Sequence, residues 1–303
     1  MSVLTVFPSK WSGMQREWDM VKEMIDAIPS PSPTPSGGGF FTDGGGTDAA
    51  IGKGVVAPTA AGDNALAQGD SSQASGNNAF ALGDTAVASG AHSFAQGYSV
   101  TASGNHALAQ GYGATASGLR SFAQGYNCTA TYPDTFAQGY ADATADSAFA
   151  QGNAAVASGA HSFAQGNNVS TSSPHSMVQG SGVRTYFGDT NFAQGYSISV
   201  GTPFPGAIPY RAFAQGSTIT VAGYDNFAHG YTIAMAPTSG SNLFNGNTIS
   251  GYGYNYNSIV NGYQQRLYAN SSNCLLVGNF GYINSYSNNS STVSYTHLTL
   301  PTN

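Results

Sequence analysis

Apolar and polar side chains alternate one by one between regularly spaced glycines. Counting back from Gly97, Ala95 and Ser93 fall on one side and Gln96 and Phe94 on the other. Counting forward, Val100 and Ala102 form one set, Thr101 and Ser103 the other. The next unit repeats the pattern, with Ala107, Ala109, Ala114 and Ala116 set against Leu108, Gln110, Thr115 and Ser117. Period-two alternation predicts strands, because successive residues of a strand point to opposite faces. The inward set is Ala, Ser and Val, so the interior is thin. Cys128 takes the place of Val100 and Ala114 and reads as a small buried apolar residue.

The alternation belongs to a repeat. Glycines recur every seven residues through Gly62, Gly69, Gly76, Gly83, Gly90, Gly97, Gly104, Gly111, Gly118 and Gly125. Two kinds of half-repeat alternate, one ending in FAQG or LAQG and one in ASG, so the full unit is 14 residues. A fixed period of this kind is the mark of a solenoid. The expected fold is all-β, a β-solenoid of 14-residue coils, each made of two short strands joined at glycine corners. The FAQG series continues through Gly139, Gly152, Gly166, Gly180, Gly195, Gly216 and Gly230 with uneven spacing. Additions such as GTPFPGAIPY before Arg211 are expected to bulge out as loops, and Gly246, Gly262 and Gly278 carry a 16-residue version of the motif.

The outward faces differ. One bears Thr and Ser. The other bears a large apolar residue at the third position before glycine: Leu66, Phe80, Phe94, Leu108, Phe122, Phe136, Phe149, Phe163, Met177, Phe192, Phe213 and Phe227. Stacked at about 4.8 Å per coil, these form a stripe larger than a soluble monomer leaves uncovered. Burial worth about 25 cal/mol per Å² in so thin a core does not offset the entropy of ordering each coil. Association through the apolar stripe repairs both deficits, which predicts an obligate oligomer. Gln68, Gln96, Gln110, Gln124, Gln138, Gln151, Gln165 and Gln179 run beside the stripe, where stacked amides can bond along the axis. Leu82 and His229 interrupt that row.

Charge narrows the function classes. Charged residues are only 7% of the chain, and no Lys or Glu follows Lys53. A net charge of −6 without a basic run gives no footprint for nucleic acid. No stretch reaches the roughly 20 apolar residues of a membrane helix, so no membrane segment is expected. No G-x-S-x-G, H-E-x-x-H or Walker loop is present, and the acids beyond residue 26 are scattered aspartates, so neither an enzyme nor a cofactor or metal site is expected. Cys128 and Cys274 are too far apart to suggest a disulfide framework. The pairs His92/His106 and His161/His175 occupy equivalent repeat positions; a metal or receptor contact is set there against a turn histidine bonded to backbone. Tyr98, Tyr112, Tyr126 and Tyr140 follow successive glycines as an aromatic row, a candidate receptor contact set against a stabilising stack. Thr101, Thr115 and Thr129 with Ser103, Ser117 and Thr131 form a flat hydroxyl face, which admits an ice-binding solenoid as a distant alternative.

The 14-residue unit with its S-x-A-x-G and x-A-S-G halves resembles the head repeats of YadA-like trimeric adhesins, also called Hep/Hag or haemagglutinin repeats. The resemblance covers roughly residues 60 to 235 well and 236 to 290 loosely. It implies a left-handed parallel β-roll and a homotrimer packed through the apolar residue of the S-x-A-x-G half, here the Phe ladder. It implies also a head that binds a host-cell surface or extracellular-matrix receptor, protein or glycan. The same repeats occur in tail-fibre-like proteins of bacterial viruses. The start MSVLTVFPSKWSGM lacks the pattern of a secretory signal, which favours a tail-fibre-like protein in a virion over an adhesin of the bacterial cell surface.

Five segments are expected. Residues 1–28 hold a short helix, opened by Ser12 and Gln15 as a capping box, with Met14, Trp18, Val21, Ile25 and Ile28 at coiled-coil spacing, a trimerising or docking segment. Residues 29–60 form a Pro/Gly-rich linker. Head repeats occupy 61–235 and divergent 16-residue repeats 236–292. Residues 293–303, containing VSYTHLTLPT, are expected to derive from a sequencing adapter, with the natural chain continuing beyond about Thr292.

Overall fold

The computed structural model describes residues 58–186, 188–200, 211–221 and 226–234, with shorter runs out to Ile283 and the backbone of Phe41–Asp43 and Ala50–Gly52. The chain divides into Met1–Thr42 and Asp43–Asn303, and nearly all described residues belong to the second unit. The expected helix over 1–28 and the expected adapter segment over 293–303 lie outside the described residues.

Every described element is a strand, and the strands form one parallel β-solenoid with about 14 residues per coil. Each coil contributes a longer strand, such as Phe94–Tyr98, and a short one, such as Thr101–Ala102. Neither pairs with its partner in the same coil. Phe94–Tyr98 pairs in register with Leu108–Tyr112, and Thr101–Ala102 with Thr115–Ala116. Residues 14 apart therefore sit on top of one another, and each chemical type becomes a column. From Phe136–Ala143 onward the two strands often merge into one, as in Thr190–Val200 and Arg211–Val221. Pairing begins upstream of residue 61, since Ala50–Gly52 already pairs with Leu66–Gln68 inside the segment expected to be linker. It persists downstream to the pairing of Arg266–Leu267 with Tyr282–Ile283.

The alternation places the core as expected. Ala95, Val100, Ala102, Ala109, Ala114 and Ala116 are fully buried, and Cys128 is buried in the Val100 column. Their outward neighbours are half-buried or exposed, as in the pattern iBiieeBiB along Phe163–Thr171. Serines fill part of the interior: the Ser121 hydroxyl donates to the Gly118 carbonyl at 2.7 Å.

The glycines do a different job from the corners assigned to them by spacing alone. Gly97 lies inside a strand, at φ +135°, a conformation that side chains rarely adopt, and a Cβ there would fall far inside 3.0 Å of Gly111 backbone. Gly104 has an ordinary φ and is required only by the approach of Gly118 backbone. The left-handed residues at the two corners are not glycines as a rule. Most stand two positions after a glycine, Ser99 and Asn127 at the first corner and His92, His106 and Arg120 at the second, while Asp134 stands two after Tyr132. Their N–H groups stay in the ladder, with Ser99 N–H donating to Asp84 O at 2.9 Å and His106 N–H to Ala91 O at 2.8 Å. Local strain at each corner is thus offset by a bond to the preceding coil.

One coil is short. Phe136 to Phe149 spans 13 residues, and the register shifts between Tyr140 and Ala141, opposite Asn153 and Ala155. The residue missing there is the left-handed one of the first corner, supplied in the next coil by Ala154 at φ 52°.

Candidate functional site

In-register pairing turns the apolar positions into a continuous ladder. Each residue from Leu66 through Phe80, Phe94, Leu108, Phe122, Phe136, Phe149, Phe163, Met177, Phe192 and Phe213 to Phe227 pairs with the next. The rings stack face to face: Phe122 and Phe136 at 4.7 Å, Phe136 and Phe149 at 4.6 Å, Phe149 and Phe163 at 4.7 Å, Phe192 and Phe213 at 4.9 Å. Ring spacing equals strand spacing, so each ring covers the faces of its neighbours and leaves its edge outward. Most members are half-buried, while Phe80, Met177 and Phe227 are exposed at 42%, 41% and 38%. From Leu66 to Phe227 the ladder runs roughly 50 Å at the usual interstrand spacing. Spacing alone missed its continuation: Leu243, Ile259 and Leu275 pair on in the same column. The signal was available, since each stands three residues before Gly246, Gly262 or Gly278.

Beside the ladder the glutamine amides form a one-way chain. The Gln110 Nε2 donates to Gln96 Oε1 at 2.7 Å, Gln124 to Gln110 at 2.6 Å, Gln138 to Gln124 at 2.8 Å and Gln151 to Gln138 at 2.5 Å. Gln165, Gln179 and Gln194 prolong it at 2.6, 2.7 and 2.7 Å. Gln194 had not been counted in the row; it stands in a further FAQG unit. Leu82 occupies the position next to Gln96 and ends the chain on that side.

At the first corner Tyr98, Tyr112 and Tyr126 stack at 5.0 and 5.1 Å. Tyr126 and Tyr140 are tilted by 54° at 6.4 Å, where the coil loses its corner residue. The rings are about half exposed. Because their faces cover one another, what they offer outward is ring edges and hydroxyls. Tyr196 joins the column through Ser181.

At the second corner His92 stacks on His106 at 4.9 Å and His161 on His175 at 5.3 Å. The two rings of each pair are nearly parallel, so their nitrogen lone pairs do not converge on one point. Among the described residues no group of three or more His, Cys, Asp or Glu is placed to hold a metal ion. The same column carries an ion pair: Arg120 Nε and Nη2 donate to the two Asp134 carboxylate oxygens at 2.6 and 2.8 Å. These bonds hold the Asp134 carboxyl below its ordinary range. Burial pushes the Cys128 thiol from 9.0 to about 11, which makes it an unreactive core atom. On the opposite face Thr101, Thr115 and Thr129 pair in register, but Asp142, Val156 and Arg184 follow in their column.

The described residues thus form a parallel solenoid that carries an apolar ladder, an amide ladder and two polar corners. The family model of the YadA head domain repeat matches the chain at residues 60–86, 75–99, 102–127 and 143–168. No curated protein matches the chain. The matched segments between residues 60 and 168 are therefore YadA-like head repeats, carried on the parallel solenoid. Among the described residues no helix is long and apolar enough to cross a membrane.

Proposed function

We propose that the chain is a homotrimeric, fibrous surface-binding protein whose subunits associate through the apolar ladder from Leu66 to Phe227. The observation that carries this reading is the ladder itself: twelve large apolar residues in one in-register column, several well exposed, on a chain whose own interior is mostly alanine. A patch of that kind calls for a partner, and a column present on every copy is self-complementary material for a closed ring of subunits. YadA-type heads are trimeric, which supports three as the number. Three identical faces raise apparent affinity for a cell-surface or matrix receptor even where each contact is weak. The outward edges and hydroxyls of Tyr98, Tyr112, Tyr126 and Tyr140 are one candidate row for that receptor.

The decisive measurement is the light-scattering mass of the full chain after size exclusion. Three chains are expected; replacing Phe94, Phe122 and Phe163 together by Ser should dissociate the assembly and unfold the solenoid. A folded, soluble monomer from either sample overturns the interface. Such a fibre would be displayed on a bacterial cell or on a phage tail. The match to YadA heads, which are surface-exposed parts of bacterial adhesins, supports the first. Immunogold labelling decides: label on cell envelopes favours the adhesin, and label on purified virions the tail fibre.

A further inference from the structure

The tyrosine column at the first corner is interrupted by three short polar residues. Beyond Tyr140 the column continues in register with Asn153, Asn167 and Ser181 before Tyr196 restores an aromatic ring. Four interstrand steps separate the two tyrosines, roughly 19 Å. Tyr140 and Tyr196 are 50% and 65% exposed. Asn153 and Asn167 are exposed and Ser181 is half-buried. Because the side chains between them are shorter, the two rings stand as the ends of a shallow trough with a polar floor.

The end rings differ from those of the earlier coils. Tyr112 lies between two rings and is stacked on both. Tyr140 has a ring on one side only, tilted by 54° where the 13-residue coil loses its corner residue, and Asn153 on the other. Tyr196 lies between Ser181 and Ser217. Both therefore offer ring face as well as edge. The floor amides differ from their neighbours too. Gln151 and Gln165, two positions before Asn153 and Asn167 on the same two strands, are bonded to each other at 2.6 Å. Asn153 and Asn167 make no side-chain hydrogen bond among the described residues, which leaves the donors and the acceptor of each amide for a ligand. The platform is stiff, since Phe136–Ala143, Phe149–Ala157 and Phe163–Thr171 run through this corner as continuous strands. In earlier coils the strand breaks there, as between Phe122–Tyr126 and Thr129–Ala130.

Ring faces at the ends and planar amides between them suit a sugar chain. The C–H face of a pyranose packs on an aromatic face, and two neighbouring hydroxyls match the donor and acceptor of one amide. A protein partner would bring aromatic or Arg anchors that need well-packed, desolvated pockets, and this floor is open. The residues beside the floor, Ala154, Asn168, Gly182 and Ser197, are uncharged. Asp142 stands near one end, two residues after Tyr140, and the Arg184 Nη2 donates to Asn168 Oδ1 at 3.3 Å. We propose that the trough from Tyr140 to Tyr196 binds a neutral oligosaccharide, held by the two rings at its ends and by the Asn153 and Asn167 amides along its floor. This rests on the surface-binding reading above and names its ligand. Asn167 lies four residues beyond Phe163 of the apolar ladder, roughly 13 Å along the strand, so association through the ladder leaves the trough open.

The test places the full chain on an array of neutral, sialylated and sulfated oligosaccharides. Retention on neutral glycans is expected, changing less than about two-fold between roughly 0.05 and 0.5 M salt, since no charge takes part. Asn153→Tyr with Asn167→Tyr fills the trough with rings, which the same column already carries in register at Tyr98, Tyr112 and Tyr126. That variant should keep the parent's circular dichroism and oligomeric mass and lose at least about ten-fold in binding. Where it fails to fold, Tyr140→Ser with Tyr196→Ser should give the same loss, serine being the residue that the column carries at Ser181 and Ser217. Undiminished binding by either folded variant, retention on charged glycans alone, or no retention on any glycan overturns the proposal. A trimeric mass without glycan binding would sink the trough and leave the fibre standing; a monomeric mass with trough-dependent binding would overturn the trimer and leave the trough.

Discussion

Gly111→Ala tests whether the coils are held at a spacing that admits no side chain in the glycine column. Two costs add. Gly111 sits at φ +122°, where a residue with a side chain is strained by about 1–3 kcal/mol. Its new Cβ would also lie far inside 3.0 Å of the Gly125 carbonyl oxygen, a backbone atom that cannot swing away. The coils would have to part locally, and losing two or three ladder bonds at about 0.5–1.5 kcal/mol each adds about 1–4 kcal/mol. The expected sum is about 2–7 kcal/mol, large for one methyl group. Gly113→Ser is the control. Gly113 also has positive φ, at +64°, but the atom in its way is the movable Asn127 Oδ1, and the same column already holds Ser99, Asn127 and Ala154. Its cost should be about 1 kcal/mol or less. Urea unfolding followed by circular dichroism at fixed protein concentration reads both. A Gly111→Ala chain that melts with its parent, or a Gly113→Ser chain that melts as early as Gly111→Ala, refutes the reasoning.

Gln124→Leu removes one amide bond given and one received and should cost about 1–2 kcal/mol in the same assay; no loss would mean the amide chain contributes nothing net. The Asp134 carboxyl is held below its ordinary range by Arg120, so the pair's contribution is present above the ordinary carboxylate range and is lost as pH falls through the lowered value. Asp134→Asn should flatten that acid limb slightly, more at low salt than at high salt. The Cys128 thiol ionises near 9.0 when unfolded and near 11 when folded, so stability should fall as pH rises across that interval, and less so in Cys128→Ala. A thiol reagent at neutral pH should label Cys128 only at the rate of unfolding. On the hydroxyl face Asp142, Val156 and Arg184 interrupt the threonine column, so ice-growth assays should show no thermal hysteresis.

Much of this fold was legible because the repeat is short and nearly exact. Alternation about Gly97 assigned Ala95 and Val100 to the interior and Phe94 and Gln96 to the outside, and the structure places them so. Identical residues 14 apart can form columns only if the coils stack in register, which made the stacked amides foreseeable. Backbone conformation was less legible. A glycine every seven residues suggested corners, yet Gly97 lies within a strand and the left-handed corners fall on Ser99 and His106. Spacing reports that a side chain is forbidden; it does not say whether φ or a neighbouring backbone forbids it. The ladder beyond Phe227 escaped because Leu243, Ile259 and Leu275 share neither the FAQG string nor the 14-residue period. The broken tyrosine stack was hidden by a single missing residue between Tyr140 and Ala141.

Among the described residues each coil pairs its strands with the coil before it and the coil after it. Under tension along its length such a molecule has no shear plane through its middle, and load reaches one end coil at a time. A single subunit pulled from its ends should therefore peel coil by coil, each release adding roughly 40–50 Å of slack from 14 extended residues. A bound fibre of this build would absorb a sudden pull by paying out chain, and rewinding against the intact neighbouring coil would restore it.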